Sequence, residues 1–155
     1  MNTKMESTKI DSFPVVGISV RTTNENQQAA KDIGMLWNRF MSEGITSKIP
    51  NKIDDTIYAV YTDYESDHTE AYTTILGCKV STVENVPNGM ISKEIAEGDY
   101  QKFIAKGDLT KNAVVDVWRT IWNLNIDRSY TTDFEVYGEK ASDPTNGEAE
   151  IFIAV

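Results

Sequence analysis

The chain carries the same succession of secondary-structure signals twice, and this repeat restricts its fold more than any other feature. The first half, about residues 13–86, predicts a strand, an amphipathic helix and a two-stranded hairpin. The second half, about residues 90–155, predicts the same order, and the turn segment Val86–Gly89 (VPNG) divides the two. Each half is therefore predicted to be a β-α-β-β unit of an α+β fold.

The two halves also resemble each other in sequence. Leu36–Phe40 (LWNRF) aligns with Val117–Ile121 (VWRTI), and Tyr58–Tyr61 (YAVY) aligns with Phe134–Tyr137 (FEVY). Two unrelated amphipathic helices with hairpins would give a similar pattern, so duplication is a hypothesis at this point. If it holds, we expect an antiparallel sheet with two helices on one side and a ligand cleft at the pseudo-two-fold interface.

The predicted element boundaries follow residue type and periodicity. Strands rich in β-branched and aromatic residues are predicted at 13–21, 56–64, 71–80, 90–106 with a break at 97–98, 130–140 and 150–155. The first helix is expected to start at a capping box formed by Asn24 and Gln27 and to stop at Gly44. Thr110 is expected to cap the second helix.

Composition limits the classes of partner and the compartment. The formal net charge of −9 disfavours phosphate backbones, so no direct nucleic-acid partner is expected. Cys78 is the only cysteine, which excludes an intrachain disulfide and favours a reducing compartment. Polar residues 1–12 suggest a flexible N-terminus without a signal peptide, and no apolar run suits a membrane span. We therefore predict a cytoplasmic protein with one domain over residues 13–155.

The strand that contains Glu135 is the strongest candidate for a functional site. Alternation of side chains along a strand predicts that Phe134 and Val136 lie beneath the second helix. The opposite face then carries Asp133, Glu135, Tyr137 and Glu139. The matching strand of the first half adds Ala59 and Tyr61 to the Glu135 side, because Tyr58 and Val60 are expected to face their own helix.

This grouping of small, aromatic and acidic residues suits a flat, positively charged molecule. Aromatic faces attract cations, and a carboxylate among them loses hydration unless a positive partner arrives. The same loss of hydration would raise its pKa and allow Glu135 to act as a general base. A carboxylate simply exposed to solvent is the alternative that spacing alone leaves open.

The remaining candidates are weaker. Asp63, Glu65 and Asp67 begin like a calcium loop, but His68 occupies the position that requires glycine. His68 is the only histidine, which excludes a histidine-rich metal site, and Cys78 lies in an apolar strand typical of a core residue. No cofactor or metal site is predicted.

Four motifs together resemble a known family. Leu36–Phe40 (LWNRF) followed by Ile57–Asp67 (IYAVYTDYESD) is similar to the integron-associated effector-binding branch of the GyrI-like (AraC effector-binding) superfamily. Ile95–Phe103 (IAEGDYQKF) resembles its strand-turn-strand motif, although Ala96-Glu97-Gly98 replaces the usual proline-alanine-glycine. Asp133–Tyr137 (DFEVY), after the tryptophan-bearing helix, resembles its Phe-Glu-x-Tyr strand.

The resemblance covers about residues 13–155 and implies a duplicated β-α-β-β fold. It also implies that Glu135 meets a cationic ligand beside Tyr137, with Trp122 as the pocket tryptophan. Symmetry and periodicity add Trp37, Tyr61 and Trp118 to the wall. Regulators of this superfamily carry a helix-turn-helix segment, for which polar residues 1–12 leave no room, so this chain is not expected to read DNA itself.

Three functions follow from the resemblance. The favoured one is binding of a cationic, aromatic or amphipathic effector or drug, for sequestration or for transcription regulation. The alternative is hydrolysis of strained electrophilic toxins with Glu135 as the catalytic group and Tyr137 assisting. The third is a protein-interaction role, because some relatives bind a topoisomerase.

Overall fold

The computed structural model describes residues 6–66 and 70–155 of the chain. The described residues contain eight strands, which are β1 (Glu6–Ile10), β2 (Phe13–Thr22), β3 (Ile57–Thr62), β4 (Tyr72–Lys79), β5 (Ile91–Ile95), β6 (Gly98–Gly107), β7 (Thr132–Tyr137) and β8 (Gly147–Ala154). The helices are α1 (Gln28–Ser42), α2 (Ile45–Lys48) and α3 (Ala113–Asn123). Short 3-10 helices cover Glu25–Gln27, Glu139–Ala141 and Pro144–Asn146. None of the helices in the described ranges is both long enough and apolar enough to cross a bilayer.

All eight strands form one curled antiparallel sheet in the order β1-β6-β8-β7-β3-β4-β2-β5. The order is symmetric about the β3–β7 pair: β2, β4 and β3 on one side match β6, β8 and β7 on the other. This symmetry agrees with the duplicated unit predicted from the sequence, and the β3–β7 pair is the seam between the halves. Its central partners are Ala59 and Glu135, which lie directly opposite each other.

The edges of the sheet exchange strands between the halves. β1 precedes the first unit but pairs with β6 of the second, and β5 precedes the second unit but pairs with β2 of the first. The sequence predicts a flexible terminus over residues 1–12, but residues 6–10 form β1, and residues 1–5 lie outside the described residues. The polar sequence of β1 hid it, because pairing with the backbone of β6 requires no apolar side chains.

The helices cover the face of the sheet that carries Glu135, contrary to the expectation for this strand. Leu36 and Phe40 of α1 pack with Ala59, and Ile121 of α3 packs with Ile151, the cross-strand partner of Glu135. The expectation that Phe134 and Val136 lie beneath α3, and Tyr58 and Val60 beneath α1, is therefore wrong.

Those four residues lie on the inner face of the curl. Phe13 on β2 and Phe134 on β7 are separated by two strands, yet their ring centroids are 5.7 Å apart. Phe134 also stacks on Phe152 at 4.8 Å. A strongly curled sheet encloses its own apolar face, so this core needs no helix to bury it. A period-2 pattern identifies two faces but does not indicate which one a helix covers.

Two of the expected helix caps also differ from the structure. Asn24 accepts a hydrogen bond from the Tyr72 hydroxyl at 2.6 Å instead of capping, and Gln27 has a left-handed φ of 60° before α1 begins. Thr110 bonds Asp108, and α3 begins three residues later, after Asn112. Gly44, with a φ of 59°, follows the end of α1 as predicted.

Candidate functional site

Glu135 is the centre of the candidate site, because it is buried at the seam of the two halves. It lies in the middle of β7 opposite Ala59, and it is 2% exposed. Its side chain is on the face that α1 and α3 cover. The Glu135 carboxylate is therefore desolvated, and the solvent-exposed alternative that strand spacing left open is wrong.

Three neutral side chains donate hydrogen bonds to this carboxylate. The Tyr61 hydroxyl and the Trp118 indole Nε1 both donate to Oε2, at 2.9 and 2.7 Å. The Tyr137 hydroxyl donates to Oε1 at 2.5 Å. Each donor satisfies part of the polar requirement of the carboxylate, but none carries a positive charge, so the negative charge is held without a cation within this set.

Burial and hydrogen bonding act on the pKa of Glu135 in opposite directions. Loss of hydration raises it, and the bonds from Tyr137, Trp118 and Tyr61 lower it; the net result is a raised pKa. Burial and the nearby Glu135 charge together raise the pKa values of Tyr61 and Tyr137 well above their usual range. Both hydroxyls therefore remain protonated donors across the physiological pH range.

The aromatic rings around Glu135 obey the symmetry of the halves. Trp37 of α1 crosses the seam to meet the ring of Tyr137 edge-on at 5.2 Å, and Trp118 of α3 crosses it to meet Tyr61 at 5.6 Å. The interplanar angle is 83° in both pairs. Trp122 contacts Trp118 at 6.2 Å and is 44% exposed, so it lies at the outer border of the cluster.

The predicted site residues meet with one exception. The residues brought together at the seam are Glu135, Tyr137, Trp118, Trp37, Tyr61 and Ala59. Trp122 contacts Trp118 of this group from its exposed border. Glu139 does not join Glu135 as its strand position suggested, because β7 ends at Tyr137 and Glu139 is exposed in a 3-10 helix. In the segment that begins like a calcium loop, which the sequence did not predict to bind metal, Asp67 and His68 lie outside the described residues, and Asp63 pairs with Lys93 at 2.8 Å.

A second buried carboxylate lies beside the first, and sequence reasoning gave it no role. Asp133 is fully buried on β7, two residues before Glu135 and opposite Tyr61. Its Oδ2 accepts from Arg128 Nη2 at 2.6 Å and from the Tyr64 hydroxyl at 2.5 Å, and its Oδ1 accepts from the backbone N–H of Ala154 at 2.9 Å. Unlike Glu135, Asp133 is therefore paired with a cation of the protein itself.

Arg128 is held between aromatic rings as well as by charge. Its guanidinium carbon lies 4.4 Å from the Tyr130 ring centroid and 5.9 Å from that of Trp118. Its side chain is 6% exposed. Its Nε is buried and has no hydrogen-bond partner among the described residues. Trp118 thus meets both charged groups, since it donates to Glu135 through Nε1 and faces Arg128 with its ring.

Comparison with known proteins assigns the fold to a family. A family model described as integron-associated effector binding protein matches residues 8–155. An integron cassette protein from the mobile metagenome of Vibrio cholerae has the same fold, with 33% identity, a TM-score of 0.76 and coverage of 100% of this chain and 99% of the other. The match agrees with the resemblance found in the sequence motifs.

Two further proteins are similar to this chain at lower identity. The structure of SAV2435 bound to tetraphenylphosphonium has a TM-score of 0.78 at 19% identity and covers 97% of this chain and 92% of the other. YobU of Bacillus subtilis (strain 168), described as a candidate transcriptional regulator, is 24% identical over 152 residues, or 96% of this chain and 95% of YobU. The buried seam, the duplicated sheet and the match over residues 8–155 lead to one conclusion: this chain belongs to the integron-associated effector binding protein family.

Proposed function

We propose that the chain binds a lipophilic, aromatic cation at the Glu135 seam. One observation carries the proposal: Glu135 is 2% exposed and holds three hydrogen bonds, all from neutral donors. An uncompensated negative charge in a protein interior opposes stability, and ionisable groups perturbed in this way are concentrated at binding and catalytic sites. A bound cation would supply the missing charge.

The hydrogen bonds of Glu135 favour one class of cation. A quaternary phosphonium or ammonium ion has no N–H to donate, so it neutralises the carboxylate by charge without displacing Tyr61, Tyr137 or Trp118. The rings of the same side chains, with Trp37, offer aromatic faces to the aryl groups of such an ion. The geometry therefore favours aryl onium ions over primary ammonium ions.

The relatives support this choice and suggest a biological role. The structure of SAV2435, which shares the fold, has tetraphenylphosphonium bound, an ion of this class. YobU is described as a candidate transcriptional regulator. We propose that binding of a cationic effector here serves either to sense it for a regulator or to sequester it.

Titration calorimetry with tetraphenylphosphonium tests the proposal on wild type, Glu135→Gln and Glu94→Gln. The two variants have the same net charge, but Glu94 is exposed on β5 and far from the seam in the strand order. Loss of a close charge partner should weaken binding at least about tenfold in Glu135→Gln, and Glu94→Gln should bind like wild type. Neutral triphenylphosphine oxide should distinguish wild type from Glu135→Gln much less than the cation does. Equal affinity of wild type and Glu135→Gln for the cation would refute the charge-pairing proposal.

Hydrolysis of an electrophile is the alternative that one observation favours. The raised pKa of Glu135 suits a general base. Its three hydrogen bonds work against that role, because each one lowers the basicity of the carboxylate. Incubation with a strained electrophile, followed by product quantification, separates the two functions: more than one equivalent of product, abolished in Glu135→Gln, would establish the enzyme.

A further inference from the structure

We infer that Arg128 limits the site to ligands with a single positive charge. The inference rests on the proposed function, because it concerns the class of cation that the Glu135 seam accepts. It starts from two buried carboxylates on one face of β7. Asp133 and Glu135 are two residues apart, so their Cα atoms are roughly 7 Å apart along the strand.

Only one of these carboxylates has a cation of its own. Arg128 neutralises Asp133 at 2.6 Å, and both side chains of the pair are buried, at 6% and 0% exposure. Glu135 receives only neutral donors. The sum of formal charges over the three side chains is therefore that of one carboxylate, which one monovalent cation balances. A dication would leave an excess positive charge in a desolvated region next to a fixed guanidinium, which opposes binding.

Glu135 and the Arg128–Asp133 pair have Trp118 and Tyr61 as common neighbours. A ligand at Glu135 would therefore be close enough to Arg128 to interact with its charge. Trp118 donates to Glu135 through Nε1, while Arg128 lies 5.9 Å from its ring centroid. Tyr61 donates to Glu135 and is the cross-strand partner of Asp133. Both carboxylates lie on β7, so they are neighbours on one face of the same strand. A ligand that extends from Glu135 along β7 towards Asp133 would approach the guanidinium that is paired with that carboxylate.

Removing Arg128 should leave Asp133 in place as a second acidic subsite. The Tyr64 hydroxyl and the Ala154 N–H hold its two oxygens independently of the guanidinium. Arg128 itself is held by the contact with Asp133 and by the Tyr130 and Trp118 rings, while its Nε has no partner in the described part of the chain. Arg128→Met keeps much of the side-chain volume and removes the charge. It should therefore convert a site for one charge into a site for two.

The test compares benzyltrimethylammonium with p-xylylene-bis(trimethylammonium), a mono- and a dication with the same aromatic core. Wild type should prefer the monocation. Arg128→Met should raise the ratio of dication to monocation affinity at least about tenfold, since each new close charge pair contributes at least that factor. The double variant Arg128→Met with Asp133→Ile removes the second carboxylate and should restore the wild-type preference. An unchanged ratio in Arg128→Met would overturn the role of Arg128.

Asp133→Asn gives an independent test that does not require Arg128→Met to fold. It leaves the guanidinium uncompensated beside Glu135, so monocation affinity should fall at least about tenfold, and unchanged affinity would contradict the inference. Failure of wild type to bind either cation would refute the proposed function, and this inference with it. Binding by wild type with the same ratio in every variant would refute the inference alone.

Discussion

The two halves of the molecule have nearly the same backbone arrangement, but at the seam one half has apolar side chains where the other has carboxylates. The tryptophans Trp37 and Trp118 reach across it in matching geometry. Where the first half places Ile57 and Ala59, the second places Asp133 and Glu135 at the aligned positions. One half supplies apolar surface, and the other supplies both charges.

This difference indicates how a symmetric fold accommodates a charged centre. Ala59 and Glu135 are direct cross-strand partners near the pseudo-two-fold position, so a strictly repeated sequence would place two carboxylates face to face. Like charges directly opposite each other destabilise a sheet, and buried ones do so strongly. Breaking the repeat in one half therefore avoids a second buried carboxylate directly opposite Glu135.

The largest effect should come from restoring the symmetry. Ala59→Glu adds a second buried carboxylate opposite Glu135 in a position with no exposed surface. The combined cost of overpacking and charge should reach about 5 kcal/mol or more in urea unfolding at pH 7. Ala59→Gln has the same shape without the charge and should cost clearly less. Equal costs for the two variants would show that volume, not charge, keeps this position small.

Removing the cation of the charged half should have the next largest effect. Arg128→Met leaves Asp133 buried without its cation and should lower the free energy of unfolding by about 3 kcal/mol. Adding Asp133→Ile, which copies the residue type of Ile57, should recover most of that loss. The comparison is made by chemical denaturation of both variants. A double variant less stable than Arg128→Met would contradict this account of the pair.

The two tryptophans should differ by a smaller amount. Trp118→Phe removes a hydrogen bond to a charged group, whereas Trp37→Phe removes mainly ring contacts with Tyr137 and Phe40. The loss in unfolding free energy should therefore be greater for Trp118→Phe by about 1–2 kcal/mol. The difference in unfolding free energy between the two variants should become smaller when both substitutions are made in Glu135→Gln. If the difference stays the same, it results from packing and not from the hydrogen bond to Glu135.

The smallest effect concerns pH, and its sign follows from the raised pKa of Glu135. Above the ordinary value of 4.5, the unfolded chain releases this proton while the folded chain retains it. The unfolded state then binds fewer protons, so stability falls as pH rises until the folded carboxyl has also ionised. Wild type should therefore lose stability relative to Glu135→Gln from pH 4.5 upward. A constant difference between pH 4.5 and 8 would contradict a raised pKa.

Much of the fold and the centre of the site could be predicted from the sequence. The repeated β-α-β-β order and the aligned YAVY and FEVY strands indicate that Glu135 lies at a seam between similar units. Side-chain alternation placed Tyr61 and Tyr137 on its side of the sheet, and the structure adds their hydrogen bonds to it. These properties depend on local periodicity, which a sequence displays directly.

The remaining features depend on contacts between distant segments. Arg128 reaches Asp133 only because the loop after α3 returns over the sheet, and no periodicity marks an arginine in such a loop. The curl that turns Phe134 inward results from packing across several strands. β1 is stabilised by backbone pairing with β6, which polar residues make as well as apolar ones.

The exchanged edge strands have a consequence for how the protein holds together. The edge strand β1 pairs with the second unit, and the edge strand β5 pairs with the first. If the two halves were expressed as separate fragments, each fragment would therefore lack the edge strand that the other half supplies. The seam that contains Glu135 cannot open like a hinge between independent domains. If a cation binds at Glu135 as proposed, its effect on the rest of the protein is expected to reach α1 and α3, whose tryptophans Trp37 and Trp118 contact the tyrosines of the seam.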